Sequence, residues 1–211
     1  MKKAEEKTSS RMPADQRREQ ILDAAISEFS ENGFRGTTTK RVAEVAGVSE
    51  ALVFKLFATK EDLYSAILDY KALKTGFDAN FIELREAFEA KDDFEVFRGM
   101  ALRAFRKHRN DTDFLRLLLY SGLESHELST IFFNSFVVTT YDILSSYIKQ
   151  RQKDGVFIEI EPRLVVRAFL GMVTHHSLNN TLWKDRQKLL DISDEDAAEG
   201  FAKILLNGIK K

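Results

Sequence analysis

Residues Thr37 to Lys60, TTTKRVAEVAGVSEALVFKLFATK, restrict the fold more than any other stretch of the chain. Val42, Ala43 and Ala46 give a short helix one apolar face. Gly47 follows, where a helix can stop in the left-handed conformation at little steric cost. Ser49 is then placed as an N-cap, its hydroxyl accepting from an orphan backbone N–H of a second helix. That second helix turns Val53, Leu56 and Phe57 to one side and leaves Ser49, Glu50, Ala51 and Lys55 on another, with Leu56 expected to be buried. Two short helices about a Gly-containing turn form the helix-turn-helix pattern, whose second helix enters a DNA major groove.

The flanking residues extend the pattern. From Asp15 to Asn32, the residues Ile21, Leu22, Ala25, Ile26 and Phe29 form a helical stripe that Asn32-Gly33 should end, with Phe34 tucking under the two helices after it. Thr38 is the expected N-cap of the next helix. Lys40 and Arg41 fall in its first turn, where their charge opposes the helix dipole and a phosphate partner would relieve them. Thr59 caps another helix, with Glu61 and Asp62 suited to its first turn. Glu50 can accept from a cytosine N4 amino group or simply favour its own helix N-terminus.

The run GFRGTTTKRVAEVAGVSEALVFKLFATKEDL, Gly33 to Leu63, resembles the N-terminal domain of the TetR family of transcriptional regulators. Phe34, Thr37, Thr38, Val42, Ala43, Gly47, Val48, Ser49, Phe54, Phe57, Lys60 and Leu63 carry the resemblance. It is specific over Gln16 to Tyr70; beyond that it concerns helical architecture only. It implies that Thr39 and Lys60 meet phosphates. The chain departs from the family at Ala51 and Leu52, where Gly or Ala and then Thr are usual. It departs again at Phe54-Lys55-Leu56, often Tyr-Tyr-His. Phe54 cannot donate a hydrogen bond but can pack on a thymine methyl or a sugar, and Lys55 can replace a neutral contact with a charged one. The DNA-facing set is therefore Thr38, Thr39, Lys40, Ser49, Glu50, Ala51, Phe54, Lys55 and Lys60.

Composition sets limits. A chain of 211 residues, 44% hydrophobic and 31% charged, can bury a substantial core. Two Pro and ten Gly favour helices, and the lack of Cys excludes disulfides and thiolate chemistry. No apolar run approaches the ~18 residues of a membrane span. The N-terminus has no apolar signal-peptide core, so the cytoplasm is the expected location and no membrane partner is expected. The net charge of −1 does not itself point to nucleic acid. Lys2, Lys3, Lys7, Arg11, Arg17, Arg18, Arg35, Lys40, Arg41, Lys55 and Lys60 precede position 61 but are nearly offset by acids. The motif, not the composition, carries the expectation of DNA binding.

After Lys74 every pattern is helical. Expected helices run from Phe77 to Ala90, Phe94 to Arg109, Asp113 to Ser125, Leu128 to Lys153, Pro162 to Asp185 and Asp194 to Lys210. Glu161-Pro162 and Ser193 are starts, and Asp154-Gly155 is a stop. The two longest candidates are amphipathic: Phe132, Phe133, Phe136, Val137, Leu144, Tyr147 and Ile148 stripe one, and Val165, Ala168, Phe169, Met172, Val173 and Leu182 the other. Two such hairpins can build a four-helix bundle about a two-fold axis, as the resemblance also implies. The stripes can equally cover the protomer's own core. The expected interface residues are Phe136, Leu144, Tyr147, Ala168, Met172 and His175.

The chain has 17 Phe, among them Phe77, Phe81, Phe88, Phe94, Phe97, Phe105 and Phe114. With the resemblance, they suggest an apolar pocket for a small hydrophobic or aromatic effector. Phe105, Arg103, His108, Tyr120 and Asn179 are its candidate residues. His175 and His176 are adjacent on a helix and point about 100° apart, a poor geometry for one metal ion. No metal and no cofactor are expected. No nucleophile elbow, phosphate loop or metal-ligand helix motif is present, so an enzyme is disfavoured. The architecture expected is all-α: a flexible arm (1–14), a three-helix helix-turn-helix DNA-binding domain (15–60) and a larger helical ligand-binding and dimerisation domain (61–211). Such a chain would act as a homodimeric, ligand-responsive regulator, most simply a repressor. The alternatives are a helical module that has lost DNA binding and holds a protein partner, and a helical enzyme for a hydrophobic substrate.

Overall fold

A computed structural model describes residues 13–75, 84–183 and 191–211, apart from the side chains of 72–75 and 182. Among these residues the regular structure is helical, with one isolated antiparallel bridge between Phe157 and Lys210. The expected arm, except Pro13 and Ala14, lies outside the described residues, as do Phe77, Phe81 and the side chain of Leu182.

The helices are α1 (Ala14–Gly36), α2 (Thr39–Val45), α3 (Glu50–Leu56), α4 (Lys60–Thr75), α5 (Arg85–Glu89), α6 (Asp93–Asn110), α7 (Thr112–Leu123), α8 (Glu127–Phe132), α9 (Val138–Lys153), α10 (Pro162–Leu182) and α11 (Asp194–Ile209). Their starts follow local chemistry. The Thr38 side chain accepts from Arg41 N at 3.1 Å, Ser49 from Leu52 N at 3.3 Å, Thr59 from Asp62 N at 3.0 Å and Ser193 from Asp196 N at 3.0 Å. Asp111 ends α6 and caps α7 through Phe114 N.

The regular part of α1 breaks at Asn32-Gly33 as expected: Gly33 takes φ 68°, ψ 178°, and after this kink one more short turn runs to Gly36. One boundary differs from expectation. The expected helix from Leu128 to Lys153 is interrupted by a π-helical turn over Phe133–Val137, flanked by α8 and α9. Thr139 and Thr140 hydroxyls bond back to Ser135 and Phe136 carbonyls at 3.0 Å each. The extra residue in that turn shifts the phase of the apolar stripe, which sequence periodicity cannot register.

Two hydrophobic clusters form. The first joins Ile21, Leu22 and Phe29 of α1 with Val42, Val53, Phe57 and the α4 residues Leu63, Tyr64 and Ile67; Leu117 of α7 and Leu128 of α8 complete it. α4 thus buries its inner face with the head although position 60 was the expected limit of that domain. The second gathers Phe97 and Phe105 of α6, Leu144 and Ile148 of α9, Phe169 of α10 and Leu205 of α11 around Phe157. A buried carboxylate, Asp93, anchors it. Arg151 Nε lies 2.7 Å from Asp93 Oδ1, Tyr147 donates its hydroxyl to the same oxygen at 2.7 Å, and Lys210 Nζ is 3.5 Å from Oδ2. Burial alone would raise the Asp93 carboxyl, but the Arg151 and Tyr147 hydrogen bonds and the Arg151 and Lys210 charges hold it below its ordinary range.

Candidate nucleic-acid interface and internal cavity

The head is built to present α3. Gly47 adopts φ 63°, and Val48 N bonds to Ala43 O at 2.9 Å, which turns the chain tightly. Gln20 of α1 donates to Ala46 O at 2.8 Å and fixes the end of α2 against α1. Val53 and Phe57 point into the core, so Ala51, Phe54 and Lys55 are left on the outside, Phe54 46% exposed. Leu56 is only partly buried at the core edge. A large exposed aromatic beside a lysine on one helix face suits contact with sugars, base edges and phosphates. Thr38, Lys40 and Ser49 are also exposed at the helix starts.

Four residues expected at phosphates or bases are engaged within the protein. Thr39 donates its hydroxyl to Glu50 Oε1 at 2.7 Å, tying α2 to α3. A hydroxyl has one proton, so Thr39 can donate to a phosphate only by leaving Glu50. Glu50 is correspondingly drawn toward α2. Lys60 lays its ammonium over the Phe34 ring, 4.3 Å from the centroid, and burial lowers its pKa despite the Glu61 and Glu124 charges. Arg41 pairs with Glu28 at 3.4 Å and Glu44 at 3.6 Å.

The seam between head and body centres on Phe34. Its ring packs on Phe29, Tyr64 and His126, with centroids 5.9, 5.0 and 4.3 Å away. Just beyond α7, Glu124 accepts from Phe34 N at 2.9 Å and Arg35 N at 3.3 Å. The Gly33 kink frees those two N–H groups, and its positive φ favours Gly there; a Cβ would also crowd Glu124 Oε1 at 3.0 Å, so the carboxylate would have to shift slightly. Sequence reading missed Glu124, which sits 90 residues from its partner with no motif to mark it.

The body carries a half-open cavity of about 490 Å³ between α6, α7, the π-turn, α9 and α10. Phe114, Leu118, Phe132, Phe136, Phe169 and Leu170 form much of its wall. Arg103, Lys107 and His108 enter from α6, Arg167 from α10, and Asp111 from the α6–α7 junction. His108 Nδ1 lies 2.8 Å from Ser177 Oγ, and burial together with the Lys107 charge pulls its pKa down to about 4, so it is neutral at pH 7. Of the expected pocket residues, Arg103 and His108 line this cavity. Phe105 instead lines a separate, more polar recess of about 480 Å³ shared with His108, His176 and Asp194. Tyr120 and Asn179 line neither; Tyr120 faces the α1 end and Asn179 bonds to His175 on its own helix. Lys107, Arg167 and Asp111 were missed. The pattern Met100, Arg103, Ala104, Lys107, Asp111 on one helical face was the available signal.

The expected interface residues separate. Leu144 and Tyr147 are buried in the protomer's own core, Tyr147 held by Asp93, and so are removed from the interface. Phe136 lines the cavity and Met172 is half-buried. Ala168 and His175 lie exposed on α10, on one stripe with Leu164 (56% exposed) and Gly171. Among the described residues, no group of three or more His, Cys, Asp or Glu converges as a metal-ligand set, and no helix is long and apolar enough to cross a membrane.

The family described as "Bacterial regulatory proteins, tetR family" matches residues 21–67, which hold α2, α3, most of α1 and the first half of α4. YvkB of Bacillus subtilis (strain 168), an uncharacterized HTH-type transcriptional regulator, is 37% identical over 192 residues, covering 90% of this chain and 95% of its own. Among solved structures, the TetR family regulator PfmR of Thermus thermophilus superposes with a TM-score of 0.67 at 24% identity, covering 90% of this chain and 99% of PfmR. AibR, solved with isovaleryl coenzyme A and operator DNA, gives 0.67 at 20% identity, covering 90% and 98%. At these identities the two structures support the fold, and the YvkB match over nearly both full lengths supports the family. With its helix-turn-helix head on an all-helical body, this chain belongs to the TetR family of transcriptional regulators and is not an enzyme.

Proposed function

We propose that the protein is a homodimeric repressor that reads a near-palindromic operator in the cytoplasm and leaves it when a small, largely hydrophobic effector occupies the internal cavity. The exposed α3 face, Ala51, Phe54 and Lys55, carries the reading. Among the described residues it stays exposed, and its chemistry suits a major groove. Thr38, Lys40 and Ser49 flank it. Thr39, Glu50 and Lys60 join when the Thr39–Glu50 bond and the Lys60–Phe34 contact yield to phosphate.

A two-fold operator needs two heads about 34–36 Å apart. The exposed stripe Leu164, Ala168, Gly171 and His175 on α10 supports dimerisation, because small residues let helices approach closely. The head, α1 to α3 with the first turns of α4, would then be the DNA-binding domain and the remainder the effector and dimer domain. AibR's co-crystal ligand supports a cavity that takes an acyl group. The effector must bind one head arrangement better than the other, since tight binding without such preference shifts nothing.

Selection of bound sequences from a random duplex pool, with a Lys55→Ala/Lys60→Ala control, tests this. An enriched inverted repeat, lost in the control, is expected. Absence of enrichment at low salt from a folded dimer would reject DNA reading and favour a protein-partner role.

A further inference from the structure

We infer that His126 is an acid-sensitive latch between head and body, whose protonation releases the start of α8 and the turn that follows α1. The geometry of the seam carries this. Between α7 and α8 the chain turns sharply, with Ser125 in the left-handed region at φ 55°. His126 closes that turn. Its N–H donates to Ser121 O at 2.9 Å and its carbonyl accepts from Ser129 Oγ at 2.8 Å. Its ring Nδ1 accepts from Leu128 N at 3.2 Å, as the N-cap of α8. Leu128 is fully buried in the head cluster. The same ring packs on Phe34 of α1, with centroids 4.3 Å apart, and at a steep angle on Tyr64 of α4 at 4.5 Å. One imidazole thus joins α1, α4 and α8.

The cap works only while the ring is neutral. An accepting Nδ1 places the ring proton on Nε2, and protonation puts a second N–H where the Leu128 N–H points. Two donors then face each other, and a first-turn amide loses the partner its own helix cannot supply. The charges around the ring pull both ways. Glu124 and Glu127 beside it in the chain and Glu61 of α4 favour the cation, while Lys60 of α4 opposes it. That ammonium already rests 4.3 Å from the Phe34 centroid, so two cations would contend for one ring. Tyr64, pushed up to about 12 chiefly by burial, stays neutral. Burial outweighs the acids and holds His126 below the ordinary histidine value. A cationic ring would also draw on Glu124, whose carboxylate holds the Phe34 and Arg35 amides at 2.9 and 3.3 Å. Because the closed seam disfavours the proton, the latch's contribution is complete above the unfolded value of about 6.5 and is lost as pH falls through the lower folded value. Acidification therefore loosens the head on the body and weakens operator binding, a last step that alone rests on the DNA reading proposed above.

The test uses the full chain. Ring proton–carbon NMR between pH 5 and 8 reads the His126 titration directly in the wild type. Amide exchange, corrected for the intrinsic rate at each pH, reads the seam at Phe34, Arg35 and Leu128. His126→Asn supplies a cap acceptor that does not titrate. The wild-type ring is expected to titrate below the ordinary value of about 6.5. Protection at Phe34 and Leu128 should fall about threefold or more from pH 7.5 to 5.5, within the ceiling of about tenfold per pH unit that one proton allows. In His126→Asn it should hold to within about twofold over the same span. A ring titrating at or above the ordinary value would overturn the inference, and that result needs no variant. An equal fall in protection in wild type and variant would overturn it too. Affinity for the selected duplex should drop with acid more in the wild type than in His126→Asn, by the factor that the seam loses. Equal drops, beside a seam loosened in the wild type alone, would overturn the regulatory step and leave the latch. If no duplex were bound at either pH, the DNA reading would fall and take that step with it, while the seam result would stand.

Discussion

The head and the body solve the same problem differently. In the head, the determinants are local. Each cap acts over three residues, the turn is set by Gly47, and the groove-facing side chains lie within one short helix. In the body, the cavity draws on residues from Met100 to Thr174, and none of its walls is complete within one helix. The two regions nevertheless share a core, since Leu117 of α7 and Leu128 of α8 pack with α1 and α4. A locally specified reader is thus mounted on the elements that also wall the cavity, and α7 serves both through its two faces.

That shared core predicts cooperative unfolding. Phe29 in the head cluster and Phe97 in the body cluster are both fully buried. Replacing either with Ala should cost about 3–5 kcal/mol through lost burial and the cavity left behind. In urea, followed by circular dichroism at fixed protein concentration, both variants should lower one common transition. Two resolved transitions, one moved by each variant, would show that the head folds independently of the body.

The next effect is confined to the body. Arg151→Gln removes a strong partner of buried Asp93 and should cost about 3 kcal/mol at neutral pH, near the low end for a broken buried pair because Tyr147 and Lys210 remain. The sign with pH follows from the depressed Asp93 value. Its contribution is present above the unfolded carboxylate value of about 3.9 and is lost as pH falls through the lower folded value. Wild type should therefore lose stability steeply below that value, and the variant should lose less. Parallel acid limbs in urea titrations across that range would mean that Asp93 does not carry the dependence.

The contrast also explains what was legible in the sequence. Caps and turn residues act on neighbours, so Thr38, Gly47, Ser49 and Thr59 could be read directly, and with them the all-helical fold. Apolar stripes announce burial but not the covering surface. Leu144 and Tyr147 were therefore assigned to a partner subunit although α6 and its neighbours cover them. The π-turn at Phe133–Val137 changed the helical phase without a Gly or Pro to mark it. Thr39 is read by its position and Glu50 by its acceptor chemistry, and their mutual hydrogen bond depends on the angle between α2 and α3.

The smallest effect probes the junction itself. Glu124 accepts from the Phe34 and Arg35 amides, where the chain leaves α1 for α2. A carboxylate near a helix C-terminus is unfavourable to the dipole, so these two freed N–H groups account for its placement. Gln keeps one acceptor oxygen and loses the charge, so Glu124→Gln should cost only about 1 kcal/mol, less than a full charged hydrogen bond because the Arg35 amide is exposed and water can replace the lost partner. Global stability is therefore a blunt probe. Hydrogen exchange at Phe34 and Arg35 is a sharper one and should speed up in the variant while the α6 amides around Phe97 stay protected. Affinity for the selected operator should fall modestly in step, because the head would sample more angles against α7. Unchanged exchange at both amides would mean that the aromatic stack of Phe34 on Phe29, Tyr64 and His126 holds the junction without Glu124.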